Sequence, residues 1–284
     1  MRISGERAYV LHARPWRETS LLVELLTAAH GRVGAVARGV TGAKQQARRA
    51  ALQPWQHIEF DALPKGELWT LARWEAVDAA PRHLGAAALA GFYVHELLLR
   101  LLPRQDAAPE VFARYATLRG ELATPASALK AAHTGPALSG VAALPLAWTL
   151  RRFERDLLDA LGLGLPWGEA ADGGALDPAA RYRLDPEHGA WRDRSHAPDS
   201  LRGSALLALA NDRLPPPEEL AELRHGLRAV LAHHLGARPL KAWGLLAEVA
   251  RVSAVPAAAA RPEAWASAER SARRTGEDGI ELAE

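Results

Sequence analysis

Residues 55–75, WQHIEFDALPKGELWTLARWE, contain two runs of alternating polar and apolar residues that flank a turn. The first run, Trp55–Ala62, places Ile58 and Phe60 on the same face. The second run, Glu67–Glu75, places four residues on one face: Leu68, Thr70, Ala72 and Trp74. Pro64–Gly66 between the runs is typical of a hairpin turn. The segment therefore predicts two antiparallel strands.

Three further strand-like runs precede this hairpin. They are separated by turn residues: Arg7–Ala13, Leu21–Thr27 and Arg32–Arg38. Five short strands within about seventy residues predict a small closed barrel. The strand count is that of the OB-fold, although a five-stranded SH3-like barrel gives a similar pattern. Core packing is favoured for Phe60 and Trp74, while the pattern leaves Trp55 and Trp69 undecided.

After Pro81 the pattern changes from alternation to helical periodicity. The runs with apolar residues at helical spacing are Leu89–Leu102, Pro109–Leu122, Leu146–Leu161, Ser200–Asn211, Glu218–Leu235 and Pro239–Val252. Turn residues surround Arg181–Leu184 and Ala190–Arg192, which predict a minor hairpin. The predicted fold class is α+β, with an N-terminal five-stranded OB-fold barrel followed by a mostly α-helical C-terminal domain.

These patterns divide the chain into three regions. Residues 1–80 form the predicted barrel domain, and residues 81–252 form the helical domain with an irregular insertion near 168–198. Residues 253–284 have the composition of a disordered tail. We find no internal repeat.

The composition and the motifs exclude several kinds of site. The chain has no cysteine, so disulfides, cysteine nucleophiles and thiolate-bound zinc are excluded. Phosphate-cradling and serine-nucleophile motifs are missing from the sequence, so we expect no catalytic residue, no metal and no cofactor. Met1–Arg7 shows no apolar signal segment, and no stretch reaches the ~18 apolar residues of a membrane span. We therefore expect a cytoplasmic protein that has no membrane partner.

A stretch without carboxylates is the feature most informative about function. No Asp or Glu occurs from Leu25 to Ile58, and the same stretch contains several cations: Arg32, Arg38, Lys44, Arg48 and Arg49. Lys44–Arg49, KQQARR, belongs to the long loop predicted between the third and fourth strands. A long basic loop on a barrel face is suited to hold a phosphate backbone, and the alternative is an ordinary solvated loop.

A tryptophan between two arginines occupies the first predicted loop. The segment Arg14–Arg17, RPWR, offers a ring on which a nucleobase can stack, a contact worth roughly 1–3 kcal/mol per base. The alternative is a cation–π pair between Trp16 and an arginine, without any ligand. The candidate DNA-binding residues are therefore Arg14, Trp16, Arg17, Arg32, Arg38, Lys44, Arg48 and Arg49.

Two groups of cations in the predicted helical domain are candidates for binding a partner. They are Arg151, Arg152 and Arg155 in one group, and Arg238 and Lys241 in the other. The first group lies on or beside the face opposite the apolar stripe of its helix, and the second flanks Pro239. One interpretation is ordinary solvated charge. The other is a basic rim around an apolar groove, which suits an acidic peptide that ends in a hydrophobic residue.

Several segments, in order along the chain, resemble one protein family. They are Ala8–Ser20 (AYVLHARPWRETS), Val36–Gly39 (VARG), Phe92–Leu98 (FYVHELL), Leu150–Leu158 (LRRFERDLL) and His234–Lys241 (HLGARPLK). Between residues 7 and 246 the chain is similar to the RecO family of recombination mediators. The resemblance implies an N-terminal OB-fold, a helical C-terminal domain and a role in recombinational repair.

The same resemblance implies activities and partners. RecO proteins bind single- and double-stranded DNA, anneal complementary strands and help load the RecA recombinase onto DNA covered by single-strand-binding protein. The implied protein partners are RecR and the acidic C-terminal tail of single-strand-binding protein, and the implied location is the cytoplasm, in association with the nucleoid. Many members carry a four-cysteine zinc element, whereas the corresponding region near 168–191 of this chain has no cysteine.

The alternative function is a protein-interaction adaptor. In that case the helical domain is the active part, and the barrel only packs against it. Charge reversal at Lys44, Arg48 and Arg49 separates the two hypotheses, because DNA affinity collapses under the first and survives under the second.

Overall fold

The computed structural model describes residues 2–40, 42–123, 143–195 and 197–245, and its first five strands close into a barrel. The strands are β1 (Ile3–Trp16), β2 (Ser20–Thr27), β3 (Gly31–Ala37), β4 (His57–Leu63) and β5 (Leu68–Ala76). Their order around the barrel is β1-β2-β3-β5-β4, and β4 also pairs with β1. β3 and β5 are parallel, and the other neighbours are antiparallel. The predicted five-stranded barrel of the OB type is confirmed.

The barrel core follows the predicted alternation in β4 but departs from it in β5. Strict alternation puts Trp69 and Leu71 on the face opposite Trp74, yet all three lie in the barrel core. The pairing of β4 with β5 shifts register between Asp61 and Ala62. Such a bulge moves the inward face of the strand by one residue. Trp69, which the sequence leaves undecided, is therefore a core residue.

The basic connection between β3 and β4 contains a short helix where the sequence predicts a loop. Ala43–Gln45 form a single 3₁₀ turn, and Gln46–Ala50 form α1. No residue of α1 is buried, whereas Val40 before it and Leu52 after it belong to the barrel core. The helix was missed because the run has no apolar stripe at helical spacing.

Five longer helices and a small sheet follow the barrel. The helices are α2 (Ala86–Leu101), α3 (Pro109–Leu122), α4 (Ala143–Ala160), α5 (Gly203–Ala210) and α6 (Pro217–Leu235). The sheet has the order β7-β6-β8, with β6 (Arg181–Asp185), β7 (Gly189–Arg192) and β8 (Leu201–Arg202). None of the described helices has both the length and the apolar character that a membrane span needs.

Most of the predicted helices and the predicted hairpin are confirmed. The helix at Pro109–Leu122 has the predicted bounds, and β6 and β7 form the hairpin expected around Pro186. The helix predicted from Ser200 begins instead at Gly203, because Leu201 and Arg202 pair with β6. The predicted tail at 253–284 and the second half of the helix expected to end at Val252 lie outside the described residues.

The segment between α2 and α3 joins the helical part to the edge of β3. The Gln105 amide donates to the Arg32 carbonyl at 2.9 Å, and Arg104 forms a bridge with the backbone of Arg32. The Arg104 guanidinium also contacts the Glu24 carboxylate at 2.5 Å. At Gly31, with φ of +56°, a Cβ would lie 1.7 Å from the Asp106 carbonyl oxygen, so this approach requires glycine.

An aromatic cluster forms a second contact between the barrel and the helices. Trp55 is 8 % exposed, and its indole fills the space that a Cβ at Gly91 of α2 would occupy. The indole also stacks on Tyr115 with ring centroids 5.2 Å apart. The Tyr115 hydroxyl lies 2.7 Å from Nε2 of His95, and burial lowers the pKa of His95 to about 3. Trp55, also undecided from the sequence, is therefore a packing residue at this junction.

Candidate nucleic-acid interface

Two predicted DNA-binding segments meet at one end of the barrel. Trp16 pairs with Ser20 across the β1–β2 turn, and Leu21 pairs with Ala37 at the end of β3. The Val40 amide donates to the carbonyl of Thr19 in that turn at 2.8 Å. The turn after β1 and the segment after β3 are therefore adjacent, and the sequence places Arg17 in the first and Arg38 in the second.

The short helix α1 lies at the same end because β5 extends past β3. In the parallel pair, Ala37 at the end of β3 faces Leu71, so Trp74 lies beyond the last residue of β3. The Trp74 indole Nε1 donates to the Arg48 carbonyl at 2.9 Å. The Arg48 guanidinium lies over the same ring, 4.3 Å from its centroid. Sequence reasoning missed this role of Trp74, because its partner is distant along the chain and local patterns carry no signal for it.

Besides Arg48, which lies against the Trp74 ring, five of the predicted cations are exposed and form no ion pair within the described part of the chain. We call them the barrel-end cations: Arg14, Arg17, Arg38, Lys44 and Arg49. The guanidinium of Arg14 lies 5.6 Å from the Trp16 ring centroid, and Trp16 itself is half-buried. The β1–β2 turn also carries Glu18, so the surface is not uniformly positive. Exposed guanidinium and ammonium groups that lack a carboxylate partner are the chemistry that phosphate groups bind.

Arg32 and Arg48 differ from the barrel-end cations. Arg32 is half-buried, and its guanidinium donates to the Leu99 carbonyl of α2 at 2.5 Å. Burial lowers the pKa of Arg32, and the nearby Arg104 lowers it further. Arg48 is exposed, but its charge lies against the Trp74 ring. We therefore leave Arg32 out of the candidate surface and treat Arg48 as part of its support.

The sequence suggests that the arginines of α4 line an exposed basic rim, but the structure buries two of them. Arg151 and Arg155 are 5 % and 8 % exposed. Arg151 pairs with the buried Glu154, which also accepts a hydrogen bond from the Tyr93 hydroxyl at 2.6 Å. Periodicity predicts these arginines on the polar face of the helix, but neighbouring helices cover that face, and the acid that pairs with Arg151 belongs to α4 itself.

One more carboxylate of α4 and two from other elements complete the pairing. The Arg155 guanidinium contacts Asp156 at 2.7 Å and Asp212 at 2.9 Å. Arg152, the most exposed of the three, contacts Asp212 at 3.3 Å and Glu121 at 3.5 Å. Burial is consistent with a structural role for Arg151 and Arg155, and Arg152 alone keeps a partly open side chain.

The second predicted partner group is exposed and held in place by α2. Arg238 and Lys241 both have exposed side chains. The Glu96 carboxylate accepts hydrogen bonds from the backbone amides of Lys241 and Ala242, at 2.9 Å and 2.8 Å. Arg100 donates to the Arg238 carbonyl at 2.8 Å. Both cations therefore extend from a backbone segment fixed against one helix.

The described residues of the insertion contain no cluster that fits a metal ion. The chain has no cysteine, and the described residues contain no group of three or more His, Asp or Glu side chains close enough to share a metal. Packing and hydrogen bonds hold the β6–β7 hairpin instead. Tyr182 is 2 % exposed, and its hydroxyl accepts a hydrogen bond from the Asp177 amide at 2.9 Å. The Arg192 guanidinium pairs with the Asp177 carboxylate at 3.2 Å.

A closed five-stranded barrel with a basic end, followed by a helical part, defines an OB-fold protein with a helical extension. Residues 1–80 match the family model described as recombination protein O N terminal. The DNA repair protein RecO of Xanthomonas campestris pv. campestris (strain B100) is 53% identical over 256 residues, which cover 88% of this chain and 99% of that protein. The chain belongs to the RecO family of DNA repair proteins.

Other relatives give the same result over the same coverage. RecO of Stenotrophomonas maltophilia (strain K279a) is 53% identical over 254 residues, covering 88% of this chain and 99% of that protein. RecO of Xanthomonas oryzae pv. oryzae (strain PXO99A) is 51% identical over 256 residues, again covering 88% and 99%. The resemblance seen in separate sequence phrases therefore extends over most of the chain.

Proposed function

We propose that this protein binds single- and double-stranded DNA at the barrel end, without catalysing a reaction on it. The observation that carries the proposal is the set of five barrel-end cations, all exposed and without a carboxylate partner among the described residues. Contacts of this kind go to phosphates, so binding is largely indifferent to base sequence. Trp16 beside Arg14 offers a stacking platform for an unpaired base.

The same electrostatics support strand annealing. Two complementary strands repel each other through their phosphates, and a surface that neutralises part of this charge lets their bases meet. No bond is made or broken in such a step, so no catalytic residue or cofactor is needed. By likeness to its relatives, the protein would act in recombinational repair and help load RecA onto DNA covered by single-strand-binding protein.

The proposed protein partners are RecR and the acidic tail of single-strand-binding protein. For the acidic tail, Arg238 and Lys241 are the best supported contacts, because both are exposed and their backbone is fixed by α2. Arg152 is a weaker candidate because two carboxylates already surround it. Arg151 and Arg155 would have to leave buried ion pairs to bind a tail. With DNA as the ligand, the proposed location is the cytoplasm, in association with the nucleoid.

Charge reversal at the barrel end tests the proposal. Lys44→Glu combined with Arg49→Glu should weaken binding of a fluorescent oligothymidylate by at least tenfold at about 0.1 M salt, where the Debye length is about 10 Å. For the unmodified protein, five neutralised phosphates predict a slope of log K against log salt of about −3.5, at about −0.7 per single-strand phosphate. The variant should show a shallower slope.

A matched control separates local from general electrostatics. Arg213→Glu combined with Arg224→Glu makes the same change of charge at two exposed positions of the helical part. This control should leave affinity within about twofold, since exposed charges beyond a Debye length are screened. Equal affinity of both variants and the unmodified protein would reject the proposal and favour the adaptor, whose barrel is only structural.

A further inference from the structure

Helix α1, which contributes Arg49 to the barrel-end cations, is too short to be stable by itself. α1 has five residues, none of them buried, and no side chain caps its N-terminus. Isolated helices shorter than ~12–15 residues are marginal in water, because nucleation is unfavourable. Yet Arg49 lies in α1 and Lys44 lies in the 3₁₀ turn before it. Their positions therefore depend on contacts made from outside the helix.

Trp74 supplies two such contacts with one side chain. Its ring is 6 % exposed and belongs to the barrel core, so the rest of the barrel fixes its position. Its indole N–H donates to the Arg48 carbonyl at 2.9 Å, which holds the helix backbone. The Arg48 guanidinium lies 4.3 Å from the ring centroid and covers it from the solvent side. We name this pair of contacts the indole clamp.

We propose that Trp74 is a positioning residue for DNA binding, which holds Lys44 and Arg49 in the barrel-end surface through the indole clamp. The inference rests on the proposed function. The cations of this short segment then have two roles. Arg48 packs the helix against the barrel, whereas Lys44 and Arg49 contact phosphates. Trp74 itself touches no DNA in this scheme.

Trp74→Phe tests the clamp, because phenylalanine keeps an aromatic ring in the core but has no N–H to donate. We expect oligothymidylate binding to weaken roughly 3–10-fold, the fold-change that corresponds to one hydrogen bond. The salt slope should become less negative by up to about 1.4, which is two phosphates at about 0.7 each. Unchanged affinity and slope in a folded variant would overturn the inference.

A double-mutant cycle distinguishes positioning from general destabilisation. In a background of Lys44→Gln and Arg49→Gln, Trp74→Phe should weaken binding no further, because the cations that it positions are gone. An equal loss in both backgrounds would show that Trp74 acts through the stability of the barrel, and the inference would fail. If Lys44→Gln and Arg49→Gln alone leave affinity unchanged, these cations do not bind DNA. That result would reject the proposed function, and with it the inference that depends on it.

Arg48→Gln keeps the test decisive if Trp74→Phe does not fold. Arg48 is exposed, so its replacement removes the guanidinium from the ring without opening the core. Amide hydrogen exchange should become faster over residues 46–52, where the Ala51 amide donates to Ala47 and the Leu52 amide to Arg49. Arg38→Gln, which removes one charge from the same surface, is the control and should leave this exchange unchanged. Equal exchange in both variants would overturn the clamp.

Discussion

Arginines have opposite environments in two regions of this molecule. At the barrel end, Arg17, Arg38 and Arg49 are exposed and have no carboxylate partner in the described residues. On α4, Arg151 and Arg155 are buried and paired with Glu154, Asp156 and Asp212. The side chain and its charge are the same in both places. The two regions differ in whether a carboxylate lies beside each guanidinium. A paired guanidinium has a structural role, whereas an unpaired one is free to bind an anion from outside the protein.

The two regions should consequently respond to different perturbations. Buried ion pairs contribute to the free energy of unfolding mainly because leaving one partner alone in the interior is costly. Exposed cations contribute little to stability, but they attract polyanions with a strong dependence on salt. Three predictions test this contrast, from the largest expected effect to the smallest.

Arg151→Ala should lower the free energy of unfolding by about 3–5 kcal/mol, because it leaves the Glu154 carboxylate, 1 % exposed, without its cation. Denaturant titration measures the change. Arg49→Ala, which removes an exposed arginine from the barrel end, is the control and should alter stability by no more than about 0.5 kcal/mol. Similar losses in the two variants would remove the distinction between the regions.

Acid should weaken the helical side of the molecule through His95. Burial lowers its pKa from 6.5 to about 3, so the folded protein binds fewer protons than the unfolded chain in this range. Stability is complete above the unfolded pKa and decreases as the pH falls from there toward the folded pKa. Between about pH 7 and about pH 5 the expected loss is about 2 kcal/mol.

His95→Gln isolates this effect. The amide does not titrate and can still contact the Tyr115 hydroxyl, so the variant should lose much less stability over the same pH interval. Thermal unfolding at the two pH values, with the variant and the unmodified protein side by side, measures the difference. Equal pH dependence in both proteins would assign the acid sensitivity to other groups.

Gln46→Glu should make the barrel end resemble α4 by giving it an acid. Gln46 is exposed and precedes Arg49 by three residues on α1, a spacing at which side chains meet. DNA affinity should fall by a few-fold, and the salt slope should become less negative by about 0.7. Asn211→Asp adds the same charge in the helical part and should change neither quantity. A full effect from Asn211→Asp would mean that net charge, rather than the barrel end, governs binding.

Local sequence patterns predicted the elements of this fold better than their contacts. Pro109–Leu122 and the hairpin around Pro186 were predictable because each depends on nearby residues and turn chemistry. The inward face at the start of β5 was not, because the bulge opposite Asp61 is a property of the strand pair. α1 was not predictable because none of its residues is buried, so it has no apolar stripe, and its contact with Trp74 joins segments that are distant along the chain.

For the candidate site, the sequence shows which cations have no carboxylate close to them along the chain. It does not show which cations the fold brings next to distant residues. The carboxylate-free stretch correctly marked a region with exposed cations, among them Arg38 and Lys44. Arg32 in the same stretch faces α2, a contact that spans 67 residues and has no local signature. Glu154 lies within one helical turn of Arg151, so the pairing of these two side chains was predictable from the sequence. Their burial by neighbouring helices was not.

Strand β3 fixes the distance between the α2–α3 segment at its first residues and Arg38 after its last residue. At its first residues, Gly31 and Arg32 hold the α2–α3 segment by backbone contacts, and Arg38 follows its last residue. Seven residues of extended chain separate these points by roughly 20 Å. A polyanion bound at Arg38, as we propose, would therefore lie at this distance from the α2–α3 segment, and the rise per residue of a strand sets that distance.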